Sequence, residues 1–170
     1  MKVMFELYPT FSDIKAAQLE VYRFLKPTPL HFYPGLNDLV GASIWVKHEN
    51  HHAVGAFKVR GGVNLAAHLT TEERRTGLFT ASTGNHGQSI AFAGQVTSTP
   101  VTIAVPRGAN PTKVVAMRSL GAEVIFAGQD FDEAREWIAH QATIKGTRFI
   151  GPTEPELIAG VGTYALEILK

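Results

Sequence analysis

Apolar side chains recur along this chain at two different periods, and the changes of period mark out its elements. Ile14, Ala17 and Val21 fall on one helical stripe, so a first helix is predicted with Ser12 as its cap and an end near Phe24. Pro27 and Pro29 follow. Each removes an N–H donor and restricts the residue before it, so this stretch is extended. Between Ser43 and Glu49 the pattern alternates, Ile44 and Val46 against Trp45 and Lys47, which predicts a strand. Gly55 marks a turn. A helix is predicted from about Phe57 to Leu69, in spite of the weak pair Gly61-Gly62.

From Leu78 a regular rhythm begins. Short apolar runs at 78–82, 101–106, 122–128 and 148–151 are predicted as strands. Helical patterns fill the gaps: one opens at Asn85, one at Asn110-Pro111, one at Asp130. Pro111 suits a first helical position, where its missing N–H is not needed. Gly121 closes that helix as a C-terminal cap. Asp130 with Glu133 resembles a capping box, and Ala134, Trp137, Ile138 and Gln141 repeat at helical spacing. Alternation of this kind predicts an α/β fold with a four-stranded parallel sheet and right-handed crossovers. Residues 72–151 are expected to form a small α/β domain. Residues 1–71 and 152–170 are expected to belong to a larger, incomplete domain. After Pro152 and Pro155 a last helix is predicted from about Val161. Its pattern is still helical at Lys170, so a fragment of a longer protein is expected, with Val161, Leu166 and Ile168 left for a missing segment or partner to cover.

Composition narrows the function. The 170 residues are 45% hydrophobic and 18% charged, with a net charge of +1, an ordinary globular profile. So balanced a charge argues against nucleic acid or an acidic membrane surface as a partner. No window reaches the roughly 20 apolar residues of a membrane span. Glu6 and Pro9 interrupt the N-terminus, which does not read as a signal peptide. There is no cysteine, which removes disulfides, thiolate metal sites and a cysteine nucleophile. A cytoplasmic location is expected. Trp137 and Phe92 read as core; Arg74-Arg75 and the Lys113/Arg118 pair read as solvated helix faces.

Two segments carry candidate chemistry. In Gly55–Gly61 (GAFKVRG) a lysine, Lys58, follows a turn where a helix begins. A lysine held there and partly desolvated offers a neutral amine for a Schiff base; a snorkelling surface lysine has the same local sequence. In Ser82–Gln88 (STGNHGQ) a strand ends and a helix opens. Ligands of open α/β sheets sit at such carboxyl ends, and helix N-terminal N–H groups receive anions. A plain turn capped by Ser82 or Asn85 is the alternative. His48, His51 and His52 raise a metal site, and Ser82 with His86 a hydrolase. However, no carboxylate–histidine spacing and no G-x-S-x-G elbow accompany them.

Taken in order, TPL (28–30), KHE (47–49), GAFKVRG (55–61), STGNHGQ (82–88), NPTKVVAMRSLGAEV (110–124) and AGVGTYALEIL (159–169) resemble the fold-type-II pyridoxal-phosphate (PLP) enzymes. The resemblance runs from about Leu25 to the end and is strongest to the serine/threonine dehydratase and serine racemase branch; Val59 stands where threonine and cysteine synthases typically carry Asp. It implies a tryptophan synthase β-like fold and pyridoxal 5'-phosphate as cofactor. Lys58 matches the lysine that binds PLP covalently, Phe57 its aromatic neighbour, and Asn85 the partner of the cofactor's 3-hydroxyl. Ser82, Thr83, Gly84 and His86, with Asn85, match the loop that receives the substrate carboxylate. The implied reaction is loss of water from threonine or serine, with the freed Lys58 amine removing the Cα proton, followed by hydrolysis of the dehydrated product to a 2-oxo acid and ammonia. Racemisation needs a second acid or base, which the sequence does not identify. A dimer of the complete protein is implied, and no metal ligand. Ala56 replaces a usual Ser, Ala53-Val54 a common proline-containing turn, and Val161 a common Gln, which bears on substrate preference. The matching phosphate loop is expected beyond Lys170; Gly160–Thr163 reads as helix rather than as its replacement.

Overall fold

The computed structural model describes residues 8–169. Residues 1–7, most of the segment considered above as a leader, lie outside it. The first helix, α1 (Phe11–Val21), is capped by Thr10 rather than Ser12. The Thr10 hydroxyl accepts from the Asp13 N–H at 3.3 Å, and the Asp13 carboxylate accepts from the Thr10 N–H at 2.7 Å. This reciprocal box needs an acidic residue three positions on, which Thr10 has and Ser12 lacks. Strand β1 (Leu30–Phe32) pairs antiparallel with β2 (Trp45–Lys47). Between them lies a short helix, α2 (Pro34–Val40), opened by Pro34 and closed by Gly41 at φ +69°. The hydrophobic pattern gave no sign of it, because α2 buries no residue.

Helix α3 (Lys58–Ala67) is followed by a second unexpected short helix, α4 (Thr71–Thr76), capped by Thr70 with Glu73. Then come β3 (Leu78–Ala81), α5 (Asn85–Thr97), β4 (Val101–Val105), α6 (Pro111–Ser119), β5 (Glu123–Phe126), α7 (Phe131–Lys145), β6 (Arg148–Phe149) and α8 (Pro155–Ile168). The four later strands form one parallel sheet in the order β5-β4-β3-β6, as the alternation predicts. Helix α8 starts at Pro155, well before Val161, because proline fits a first helical turn. Gly160–Thr163 is therefore helix interior.

Both central strands are buried at every position, since helices cover both faces. Parity sorts their side chains. Leu78, Val101, Ile103 and Val105 meet Leu65, Leu69, Ile90, Met117 and Leu157 on one face. Phe79, Ala81 and Ala104 meet Ala134, Ile138 and Ala142 of α7 on the other. Trp137 lies at the edge of that α7 stripe and is 38% exposed, so it is not the core residue its spacing suggests. Phe92 is half-buried against a third cluster around Val21, Val59 and Val63.

Helix α3 packs between α5 and α8, and its two adjacent glycines make this possible. A Cβ on Gly61 would lie 2.7 Å from the Leu157 carbonyl, and one on Gly62 would lie 2.5 Å from the Ser89 carbonyl. On the facing helix, a Cβ on Gly160 would lie 2.5 Å from the Arg60 carbonyl. Gly61-Gly62 is thus a contact surface, although each glycine costs about 1 kcal/mol in helix propensity.

Arg60, fully buried, anchors the same helix on its other side. Its Nε and Nη2 donate to Glu49 at 2.7 and 2.8 Å, and its Nη1 and Nη2 donate to Glu167 at 2.6 and 3.0 Å. Lys47 also contacts Glu167. Tyr22 donates to Glu167 at 2.7 Å, and Thr28 to Glu49 at 2.6 Å. Burial alone would raise both carboxyls. The hydrogen bonds from His52, Arg60 and Thr28 instead hold Glu49 at about 2, and those from Arg60, Lys47 and Tyr22 hold Glu167 at about 2. Two cations thus face two anions inside the fold.

Removing one partner from such a buried cluster strands the others without compensation. Arg60→Met is expected to lower unfolding free energy by roughly 3–5 kcal/mol. Urea denaturation at pH 7 measures this, and a loss under about 1 kcal/mol would contradict the reading of the network as structurally essential.

Candidate active site

Lys58 is the first residue of α3, with Phe57 at the cap position. Ahead of it the chain turns at Gly55, whose φ of +65° favours glycine, and whose N–H donates to the His52 carbonyl at 2.7 Å. Lys58 and Phe57 line a cavity of about 130 Å³ together with His86, Ser89, Pro152, Leu157, Ile158 and Val161. Its walls come from α3, α5 and α8, so the helix packing described above also shapes it. A larger hollow of about 330 Å³ lies against α1, between Asp13, Asn64, His68 and Glu156. It contains none of the candidate site residues named from the sequence.

The STGNHGQ segment is the turn from β3 into α5. Ser82 is buried, and its hydroxyl accepts from the Gly84 N–H at 3.1 Å and the Gly87 N–H at 2.8 Å. It holds the loop in shape. Thr83 is exposed, and a Cβ on Gly84 would meet open space. No group among the described residues accepts from the Asn85 or His86 backbone N–H. These two N–H groups sit at a helix N-terminus, where an anion is favoured. The Asn85 side chain is exposed; its Oδ1 accepts from Lys113 Nζ at 3.3 Å and lies 3.5 Å from Gln88 Nε2. Lys113 is therefore more than a solvated helix face, since it reaches across to the loop.

His86 is turned inward. Its Nε2 lies 2.9 Å from the Thr80 hydroxyl, which itself donates to the Ile150 carbonyl at 2.8 Å. The one hydroxyl proton of Thr80 is thereby taken, so Nε2 carries the N–H and Nδ1 keeps its lone pair. Burial pulls the His86 pKa down to about 4; the Ile150 carbonyl opposes this and the Lys58 charge adds to it. His86 is accordingly neutral at pH 7. Thr80 and Ser89 were not singled out from the sequence. Ser89 had one available signal: it falls three residues after His86, on the same face of a helix.

The rival sites do not assemble. His48 stacks on His51 with centroids 5.0 Å apart, and its Nε2 is 2.7 Å from the Tyr33 hydroxyl. His52 is buried beside Glu49 at 3.3 Å. Among the described residues no group of three histidine, cysteine or acidic side chains could hold a metal ion. The Ser82 hydroxyl is engaged within its own loop, and His86 turns its Nε2 to Thr80.

Residues 21–170 match the family described as pyridoxal-phosphate dependent enzyme. The chain belongs to this family. It is 41% identical to an L-threonine ammonia-lyase of Thermotoga maritima, over 95% of this chain and 40% of that protein. It is 38% identical to an L-threo-3-hydroxyaspartate ammonia-lyase of Saccharomyces cerevisiae, over 96% of this chain and 51% of that protein. Its fold superposes on maize serine racemase with a TM-score of 0.88 at 28% identity, over 93% of this chain and 48% of that one. For the processed form of threonine deaminase isoform 2 from Solanum lycopersicum the TM-score is 0.84 at 32% identity, over 95% of this chain and 49% of that one. The chain thus spans about half the length of these relatives. The α/β architecture is that of the fold-type-II PLP enzymes, and among the described residues no helix is long and apolar enough to cross a membrane. The residues present suit the family's cofactor: one amine in a walled cavity, with an open helix N-terminus and a side-chain amide on the adjoining loop.

The buried His86 makes stability depend on pH. Its folded pKa lies below the unfolded value, so the unfolded chain takes up a proton that the folded chain refuses. The stability is present in full above about pH 6.5 and is lost progressively as pH falls toward about 4. Between pH 7 and pH 5 the expected loss is on the order of 2 kcal/mol. His86→Gln should flatten that part of the profile in urea titrations, while the low-lying Glu49 and Glu167 act only in more acid solution. An unchanged slope would rule out a buried neutral His86.

Proposed function

We propose that this chain is the N-terminal part of a PLP-dependent ammonia-lyase that converts threonine or serine to a 2-oxo acid and ammonia. The observation that carries the reading is the shared cavity: Lys58 from α3 and His86 from the α5 loop line one hollow. The activities of the Thermotoga maritima and Saccharomyces cerevisiae relatives support the reaction class.

In this reading the Lys58 amine is the point of covalent attachment. The same amine, when free, would take the proton from the substrate Cα. When bound, PLP supplies an electron sink for that carbon. Phe57 would pack beside the cofactor, and Asn85 would hold its 3-hydroxyl side. The Ser82–His86 loop receives the substrate carboxylate, with Ser82 shaping the turn, Thr83 and Gly84 leaving it open, and the Asn85 and His86 N–H groups facing the anion. Val161, Leu157 and Ile158 give the cavity an apolar wall.

Residues 72–151 are proposed as the small domain, with 1–71 and 152–170 as part of a larger one. The complete protein is proposed to be a dimer in the cytoplasm. The resemblance to maize serine racemase favours racemisation as the second reading; it requires a proton donor on the cofactor face opposite Lys58. A chain without activity of its own is the third, favoured by its half-length coverage and by exposed Ile168 and Leu169 at the end of α8.

Borohydride trapping of PLP on the chain, followed by peptide mass spectrometry, tests the assignment. One stoichiometric adduct on Lys58 is expected, lost in Lys58→Ala and kept in Lys26→Ala. Scattered adducts, or equal loss in both variants, would refute Lys58 as the attachment point. Release of 2-oxo acid from threonine, serine and 3-hydroxyaspartate then ranks the substrates.

A further inference from the structure

Ser89 lies in the second turn of α5, buried to 1% exposure, and its hydroxyl reaches into the first turn of α3. It donates to the Lys58 carbonyl at 2.5 Å and accepts from the Gly62 N–H at 3.2 Å. These are the two groups that an α-helix ordinarily pairs with each other. A hydroxyl from the neighbouring helix thus bonds to both of them, with its one proton and a lone pair both used. Only glycine at 62 admits it, because a Cβ there would lie 2.5 Å from the Ser89 Oγ. The cap position of α3, Phe57, makes no side-chain hydrogen bond. The turn begins with a short-range bond, Arg60 N–H to the Phe57 carbonyl at 3.1 Å.

We propose that Ser89 is a positioning residue for Lys58, a hydroxyl wedge that ties the turn bearing the amine to the helix bearing the anion loop. The proposal rests on the reading of Lys58 as the attachment point. The wedge acts on the backbone of Lys58, while Ser89 itself lines the same cavity three residues from His86. Any shift of α5 when an anion binds at its N-terminus is therefore passed to the Lys58 peptide through one short hydrogen bond. Without the hydroxyl, the Gly62 N–H loses an acceptor and the Lys58 carbonyl loses its tie to α5.

The test compares Ser89→Ala with Ile90→Val, a neighbouring core change that lowers stability without touching the Lys58 turn. In the chain without cofactor, NMR hydrogen exchange at the Gly62 amide is expected to quicken at least fivefold in Ser89→Ala, relative to the other amides of α3. With PLP added, borohydride trapping on Lys58 should slow at least threefold and its pH midpoint should move. Ile90→Val should change neither. Ser89→Cys, which keeps the volume and a weak donor, should fall between and serves if the alanine variant does not fold. Trapping rates and midpoints equal to wild type in the Ser89 variants, or an equal slowing in Ile90→Val, would overturn the positioning role. If wild type gives no Lys58 adduct, the assignment of Lys58 fails and the positioning role falls with it. The Gly62 exchange rate then still reports whether the wedge exists.

Discussion

The buried guanidinium of Arg60 is the constraint around which the rest is arranged. A charge without solvent must find partners, and Arg60 finds both of its carboxylates far from itself in sequence, at Glu49 and Glu167. Those contacts bring the turn after β2, the start of α3 and the end of α8 to one point, and Tyr22 adds the end of α1. They also set the rotation of α3 about its axis. Residues two apart on a helix point to nearly opposite sides. With Arg60 directed into the ion cluster, Lys58 is directed away from it, toward the cavity shared with α5 and α8. The ion cluster and the reactive amine are thus two sides of one helix turn.

Packing supplies what electrostatics does not. Ion pairs fix direction but hold helices only as closely as their side chains reach. The approach of α3 to α5 and α8 comes from Gly61, Gly62 and Gly160, where backbone meets backbone. That approach lets a serine hydroxyl enter the first turn of α3, and it keeps the cavity small. On the sheet side, alanines at 81, 104, 134 and 142 let α7 lie close, whereas the opposite face carries the larger Leu, Ile, Val and Met side chains.

Much of this was legible in the sequence where local rules operate. The four sheet strands, the Asn110 and Asp130 caps and the strand-to-helix turn at Ser82–Gln88 follow from apolar runs and from residues that satisfy helix ends. The family was legible from six motifs in order. What stayed hidden was either short or long-range. Helices α2 and α4 bury no residue, so they leave no hydrophobic period to read. The partners of Arg60 lie 11 and 107 positions away, and no local pattern joins them. The glycine pair looked like a weakness in a helix because its contacts belong to other helices. Ser89 and Thr80 were missed for the same reason, as each acts through hydrogen bonds to a distant backbone carbonyl.

The state of His86 limits how the proposed anion loop can work. A protonated imidazole there would attract a carboxylate strongly, but it would also stand beside the Lys58 amine in the same cavity. Burial and the Lys58 charge prevent this, while Thr80 fixes the tautomer. They keep the ring neutral with its N–H turned inward and only a lone pair on Nδ1, and a lone pair repels a carboxylate. The attraction must then come from backbone N–H groups and the α5 dipole, on the order of half an elementary charge. Such a loop holds an anion by geometry and keeps its strength constant across neutral pH. It leaves Lys58 as the one group in the cavity whose protonation changes during the proposed reaction, which is the arrangement a single-base elimination needs. A racemase would need to add a second such group from outside the residues that line this cavity.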